Sequence, residues 1–151
     1  VVGDIITLDA TDTSDGTAVG SAPVVKVTAT AAASGGAVGI DGTPATNTFD
    51  ILEITVSNNA NSSMADDFID AGDGEHLLEN LGPANDATTT GITVTADTKF
   101  FIIAYDDGNA YIYAAVNPTG NTALVKGEIT PLAIVTGVDA GGFIADDFLL
   151  A

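Results

Sequence analysis

Carboxylates are the most abundant chemistry-bearing groups in this sequence. Asp and Glu number 21 against 3 Lys and no Arg, with one His and no Cys, for a formal net charge of −18. Hard oxygen ligands of this kind suit Ca2+ before any softer metal. The most ligand-like run is Asp70-Ala71-Gly72-Asp73-Gly74-Glu75, with carboxylates two and three residues apart on a flexible backbone. The pairs Asp66-Asp67 and Asp146-Asp147 join Asp70, Asp73 and Glu75 as candidate metal ligands. Further acids group at Asp9, Asp12 and Asp15 and at Asp106-Asp107. None of these runs has the alternating acids, central Gly and terminal Glu of an EF-hand loop, and the GGxGxD repeat of the calcium β-roll is absent. Acids beside glycine also make turns and helix caps, so each run has a structural reading beside the cation one.

Other chemistries find little material. Three lysines cannot build the basic face that phosphate recognition needs, which argues against nucleic acid as a partner. Without cysteine there is no disulfide framework, thiolate metal site or cysteine nucleophile. A single histidine argues against a His-based triad or a multi-histidine zinc site. His76, between Glu75 and Leu77, reads as a solvated or capping residue. Two carboxylates suffice for glycoside hydrolysis. Sugar-processing sites usually add aromatic platforms, however, and here there is no Trp and the 3 Tyr fall in an apolar hairpin. The expectation is a protein that is not an enzyme.

The charge needs its own explanation, because self-repulsion opposes compaction. Bound divalent cations would offset it, and so would screening by external salt. Alternatively, the acids keep a chain with 46% hydrophobic residues in solution. That apolar fraction is too high for an intrinsically disordered chain. No stretch approaches the roughly 18 to 20 apolar residues of a transmembrane helix, so membrane insertion is not expected. Val1-Val2-Gly3-Asp4 lacks the basic and apolar regions of a secretory signal and reads as the start of a processed or excerpted chain.

The elements that must position these groups are mostly strands. The length of 151 residues suits a single β-rich domain spanning 1–151. Short β-branched runs bounded by Gly, Asn, Asp and Pro predict strands over 1–9, 23–31, 49–57 and 129–137, with Leu124-Val125 as a short additional one. In the third run Asp50, Leu52, Ile54 and Val56 face one way and Ile51, Glu53 and Thr55 the other. Ser63 with Asp66 has capping-box spacing and predicts a short helix over 64–70. Residues 73–81 predict a second helix, with Leu77, Leu78 and Leu81 on one face and Gly82-Pro83 as its stop.

The strongest local signal is Asp107-Gly108 between 99–106 and 109–116, a type I′ hairpin pattern. That register pairs Ala104 with Tyr111 and Ile102 with Tyr113. Phe100, Ile102, Ala104, Tyr111 and Tyr113 then share one face. Phe101, Ile103, Tyr105, Ala110, Ile112 and Ala114 share the other. With both faces apolar, the hairpin should lie at the centre, covered on both sides. Pro131 should lie near the start of its strand or on a sheet edge. The fold expected is a mainly β, antiparallel sandwich-like domain with one or two short helices.

Two further patterns bear on use. Residues 51–71 align without gaps to 131–151, sharing Leu, Ile and Ala-Asp-Asp-Phe. Each copy reads as strand, loop and short turn, with Phe68 and Phe148 as core anchors and the paired acids as caps or cation ligands. The run 24–33, rich in Ala, Val and Thr with one charge, is the kind of flat strand that pairs with another chain.

The segments 73–81 (DGEHLLENL), 91–96 (GITVTA), 99–113 (KFFIIAYDDGNAYIY), 127–133 (GEITPLA) and 145–148 (ADDF) together resemble a C-terminal region of RTX-related, type I-secreted bacterial surface proteins, S-layer-like ones included. The resemblance covers residues 73–151, and the first half matches only in composition. The ending Asp-Asp-Phe-Leu-Leu-Ala is similar to an uncleaved C-terminal type I secretion signal. The resemblance implies export without an N-terminal signal, folding in calcium-containing medium and a role at the cell surface. The missing calcium nonapeptides are its main departure. The function expected is therefore an extracellular structural protein that assembles with itself into a surface layer or filament, stabilised by Ca2+. The alternative is an adhesin-type module that binds a glycan or a protein at the cell surface.

Overall fold

The computed structural model describes residues 5–9, 25–28, 50–55, 63–69, 73–81, 98–117 and 124–151. Its strands are β1 (Ile6–Leu8), β2 (Val25–Thr28), β3 (Ile51–Ile54), β4 (Thr98–Asp106), β5 (Asn109–Asn117), β6 (Ile129–Thr136) and β7 (Phe148–Leu150). One α-helix, α1 (Glu75–Leu81), and 3-10 helices over Met64–Phe68 and Ala145–Asp147 complete the described elements.

The β4–β5 hairpin organises the rest. Asp107 and Gly108 have φ of 47° and 71°, the left-handed pair that a type I′ turn requires. The turn fixes the pairing from Asp106↔Asn109 out to Thr98↔Asn117, including Ala104↔Tyr111 and Ile102↔Tyr113 as the sequence predicts. Side chains alternate between the two faces along each strand. Phe100, Ile102, Ala104, Tyr111 and Tyr113 pack with Leu52, Ile54, Met64, Leu77, Leu78, Leu124 and Ile129 in a first core. Phe101, Ile103, Tyr105, Ala110 and Ile112 pack with Ile51, Leu8, Val138, Phe148 and Leu150 in a second core on the opposite face.

Five strands form one sheet in the order β2-β3-β4-β5-β6, and β1 and β7 form a separate pair. The mainly β class is therefore what forms, but its strand directions depart from the antiparallel expectation. β2 pairs with β3 and β3 with β4 in parallel, while β4–β5 and β5–β6 are antiparallel. β1 and β7 are also parallel, with Ile6 opposite Phe148. Parallel neighbours need a crossover connection. The chain between β3 and β4 contains the first 3-10 helix and α1, which cover the first core. All four residues of β3 are buried, as suits a parallel strand covered on both faces.

Both short helices start at side-chain caps. Ser63 Oγ accepts the Ala65 N–H at 3.3 Å, and the helix runs to Phe68, two residues short of the expected end. Asp73 precedes α1, and its Oδ1 accepts the Glu75 N–H at 3.3 Å. Leu77 and Leu78 are fully buried beneath it. The stop at Gly82-Pro83 lies outside the described residues.

The expected strand at Leu124-Val125 does not form. Leu124 is a buried core residue, and the chain turns at once: the Glu128 N–H bonds to the Val125 carbonyl at 3.1 Å, and the Val125 N–H bonds to Glu128 Oε2 at 2.9 Å. Gly127, with φ of 84°, permits that turn where a side chain would be strained.

The two Ala-Asp-Asp-Phe segments both sit at 3-10 helices, but on opposite faces of the sheet. Phe68 packs on Tyr111 and Tyr113, with ring centroids 5.8 and 5.6 Å apart. Phe148 packs on Phe143 at 5.1 Å, in the second core. Both phenylalanines are anchors, as the repeat implies.

Candidate functional site

Four of the candidate metal ligands, Asp67, Asp73, Glu75 and Asp147, have separate structural tasks. Asp67 is buried and its carboxylate caps α1, accepting the His76 N–H at 2.9 Å through Oδ1 and the Leu77 N–H at 3.0 Å through Oδ2. The Tyr113 hydroxyl donates to the same Oδ2 at 3.1 Å. Burial pushes the Asp67 carboxyl above its ordinary value, while these three donors pull it down. Glu75 Oε2 pairs with Lys126 Nζ at 3.2 Å on the surface. Asp147 Oδ2 accepts the Ile144 N–H at 2.8 Å. Asp66 is half-buried on the first 3-10 helix, Asp73 caps α1 and Asp146 is exposed. Asp70 lies outside the described residues. Among the described residues, no three His, Asp or Glu side chains gather into a group that could hold a metal ion.

The His76 side chain is half-buried on α1 rather than freely solvated. Its Nδ1 lies 3.5 Å from Glu79 Oε2, one turn along α1. Asp106 is buried and ties the hairpin to the first 3-10 helix, because its Oδ2 accepts the Met64 N–H at 3.2 Å.

Another buried acid lies on the other face. Glu53 is 2% exposed at the centre of the parallel strands, and the Tyr105 hydroxyl donates to its Oε1 at 2.5 Å. Burial pushes the Tyr105 hydroxyl well above its ordinary value, and the neighbouring Glu53 pushes it further. The backbone at Gly141 and Phe143, beside this hydroxyl, pulls it partly back down. Tyr105 thus ties the chain after β6 to the middle of the sheet.

Beside Tyr105 an open groove of about 230 Å3 lies at the hairpin turn, where β3 and β4 end. Its lining includes Thr55, Asp106, Asp107, Val138 and Asp139. Three carboxylates and no basic side chain give it an acidic character.

The remaining feature is a sheet edge. β6 pairs with β5 on one side, and among the described residues no strand pairs with its other side. The eight residues of β6, ITPLAIVT, carry no charge. Leu132 is 48% exposed and Ile134 is 40% exposed. Pairing shifts register between Ile112 and Tyr113, because Ile112 faces Ala133 and Tyr113 faces Pro131, leaving Leu132 as the extra residue of a bulge. Pro131 is therefore near the start of an edge strand, as its missing N–H demands. The expected edge segment 24–33 contributes β2, which ends the sheet on the opposite side.

Sequence reasoning named the acids at the hairpin turn but did not join them to Asp139 or Thr55. It also did not single out Glu53 with Tyr105, although an acid inside the apolar run 51–56 was a visible signal. No described helix is long and apolar enough to cross a membrane. The chain matches no protein-family model, no curated protein and no solved structure.

Proposed function

We propose that this chain is a non-enzymatic structural protein that works outside the cell by associating with itself into a surface layer or filament. The observation that carries this reading is the uncharged edge of β6, with Leu132 and Ile134 exposed on a chain of formal charge −18. An open apolar edge is a template for another strand. On so acidic a chain it is a place where copies can meet without pressing carboxylates together. Dissolved cations, Ca2+ foremost, favour the contact by reducing repulsion between copies. The composition supports a non-enzymatic role, with one His and no Cys. The resemblance of 73–151 to type I-secreted bacterial surface proteins supports an extracellular place.

Light scattering on the purified chain, with millimolar Ca2+ and again with chelator at matched ionic strength, tests this reading. Growth into large regular assemblies in Ca2+ is the expected result. A monodisperse monomer in both conditions would contradict it.

A second reading rests on the acid-lined groove beside Tyr105: an adhesin-type module that binds a surface glycan or protein. A glycan array probed with the monomeric protein tests it. Saturable binding that is lost in Asp139→Ala supports the module, and an empty array counts against glycan recognition.

A further inference from the structure

We propose that residues 137–150 form a strap closed over the second core, latched at the Tyr105 hydroxyl, which opens as a unit while the β4–β5 hairpin stays folded. The two faces of the sheet are covered in different ways. On the first face, buried carboxylates bind the cover down: Asp106 Oδ2 accepts the Met64 N–H, and Asp67 ties α1 to Tyr113. On the second face, the strap shares no strand ladder with the five-stranded sheet among the described residues, because β7 pairs with β1 alone. It is held by side chains, with Val138, Phe148 and Leu150 buried in the second core and Phe143 packed against it. Between these anchors Asp139, Ala140, Gly141 and Gly142 are exposed. A segment with few buried anchors and an exposed backbone opens below the free energy of global unfolding.

The latch is a small polar cluster beneath the strap. The Tyr105 hydroxyl donates to Glu53 Oε1, and the backbone of Gly141 and Phe143 lies beside the same hydroxyl. Glu53 is 2% exposed with the strap in place. Hydration of so deeply buried a carboxylate favours the open strap, while the apolar anchors favour the closed one. Gly137 is the hinge. It lies exposed between β6 and Val138 with φ of 74°, and nothing lies within 4 Å of a Cβ there, so the chain can turn without a clash. Opening bares Ile103, opposite Glu53 in the parallel register, together with Phe101 and Ile112 of the same core. The strap is thus a switch between a closed chain and one that offers an apolar face without unfolding its sheet. This device is independent of the self-association reading, which rests on the β6 edge.

The absence of native cysteine lets single thiols report opening through their rate of chemical labelling. Val138→Cys and Leu150→Cys report on the two ends of the strap. Ala104→Cys, in the hairpin, reports on global unfolding, and all three sites are buried. The expected result is comparable labelling at 138 and 150, at least about 100-fold faster than at 104 and with little dependence on urea. Labelling at 138 as slow as at 104 would overturn the strap, even if 150 is labelled faster, because only the last strand would then fray. Tyr105→Phe, added to Val138→Cys, is expected to speed labelling roughly tenfold, and an unchanged rate would overturn the latch. Val138→Ala in the Leu150→Cys chain leaves Tyr105 and Glu53 intact. It is also expected to speed labelling, and an unchanged rate there would show that the strap does not open as a unit.

Discussion

The Tyr113 hydroxyl donates to Asp67 Oδ2 at 3.1 Å, and the same carboxylate receives the His76 and Leu77 N–H groups in the first turn of α1. One buried side chain thus joins the central hairpin, the first 3-10 helix and α1. A seven-residue helix has little stability of its own, so α1 depends on this cap and on Leu77 and Leu78 beneath it. Asp67→Ala removes the cap and strands the Tyr113 hydroxyl. The expected cost is about 3 kcal/mol, read as a lower urea midpoint with unchanged slope.

The pH dependence of this interaction has a definite sign. Burial lifts the folded pKa of Asp67 above its unfolded value, so the folded state holds the proton more tightly. The resulting stabilisation is fully present below the ordinary carboxylate range and is lost as pH rises through the raised folded value. The stability difference between the parent chain and Asp67→Asn should therefore shrink, or turn against the parent, as pH rises across that window. Urea unfolding of both proteins at a series of pH values checks it; a difference that grows with pH would contradict it.

All three tyrosines should resist ionisation in the folded state. Burial raises Tyr105, Tyr113 and Tyr111 above the ordinary value of 10.0, with Glu53, Asp67 and Asp106 respectively adding to it. Below the unfolded value this contribution is fully present, and stability falls as pH rises past it. A phenolate absorbance titration is expected to be steep and to coincide with loss of structure. A gradual, reversible titration around the ordinary value with the fold intact would contradict it. Tyr105→Phe, which leaves Glu53 buried without this donor, is expected to cost about 1–3 kcal/mol in urea unfolding.

Gly74 marks where α1 meets β6. Its φ is 73°, and a Cβ there would lie 2.5 Å from Ile129 Cβ. Gly74→Ala therefore combines left-handed strain with a clash against a packed side chain. The expected loss is about 2–4 kcal/mol, measurable as a drop in melting temperature. Gly108 also has positive φ, but nothing lies within 4 Å of a Cβ there. Gly108→Ala should cost only the conformational part, about 1–2 kcal/mol.

The hairpin was legible in the sequence down to its register, because an Asp-Gly turn and two alternating strands are local signals. The β3 residues were also assigned to the correct faces. The parallel pairing of β2, β3 and β4 was not read, although the helices between β3 and β4 carried the signal of a parallel crossover. Their shortness and the β-rich surroundings favoured an antiparallel reading instead. The β1–β7 pair joins opposite ends of the chain, and no local pattern encodes such a contact. The acids were legible as caps or ligands but not as one or the other. Asp67 became a cap because the fold brings Met64–Phe68 against the start of α1, a tertiary event. The β6 edge was half legible: Pro131 pointed to a strand start or a sheet edge, but the apolar sequence around it reads equally well as an interior strand.

Self-association through the uncharged edge is tested most directly by sedimentation velocity on the parent chain and Ile134→Lys, side by side, as salt is raised. Screening weakens repulsion between copies carrying −18 each, so the parent chain should shift to larger species with increasing salt. Ile134→Lys, which places a charge in the contact, should remain monomeric throughout. A parent chain that stays monomeric at every salt concentration, or a variant that associates equally well, would contradict the account.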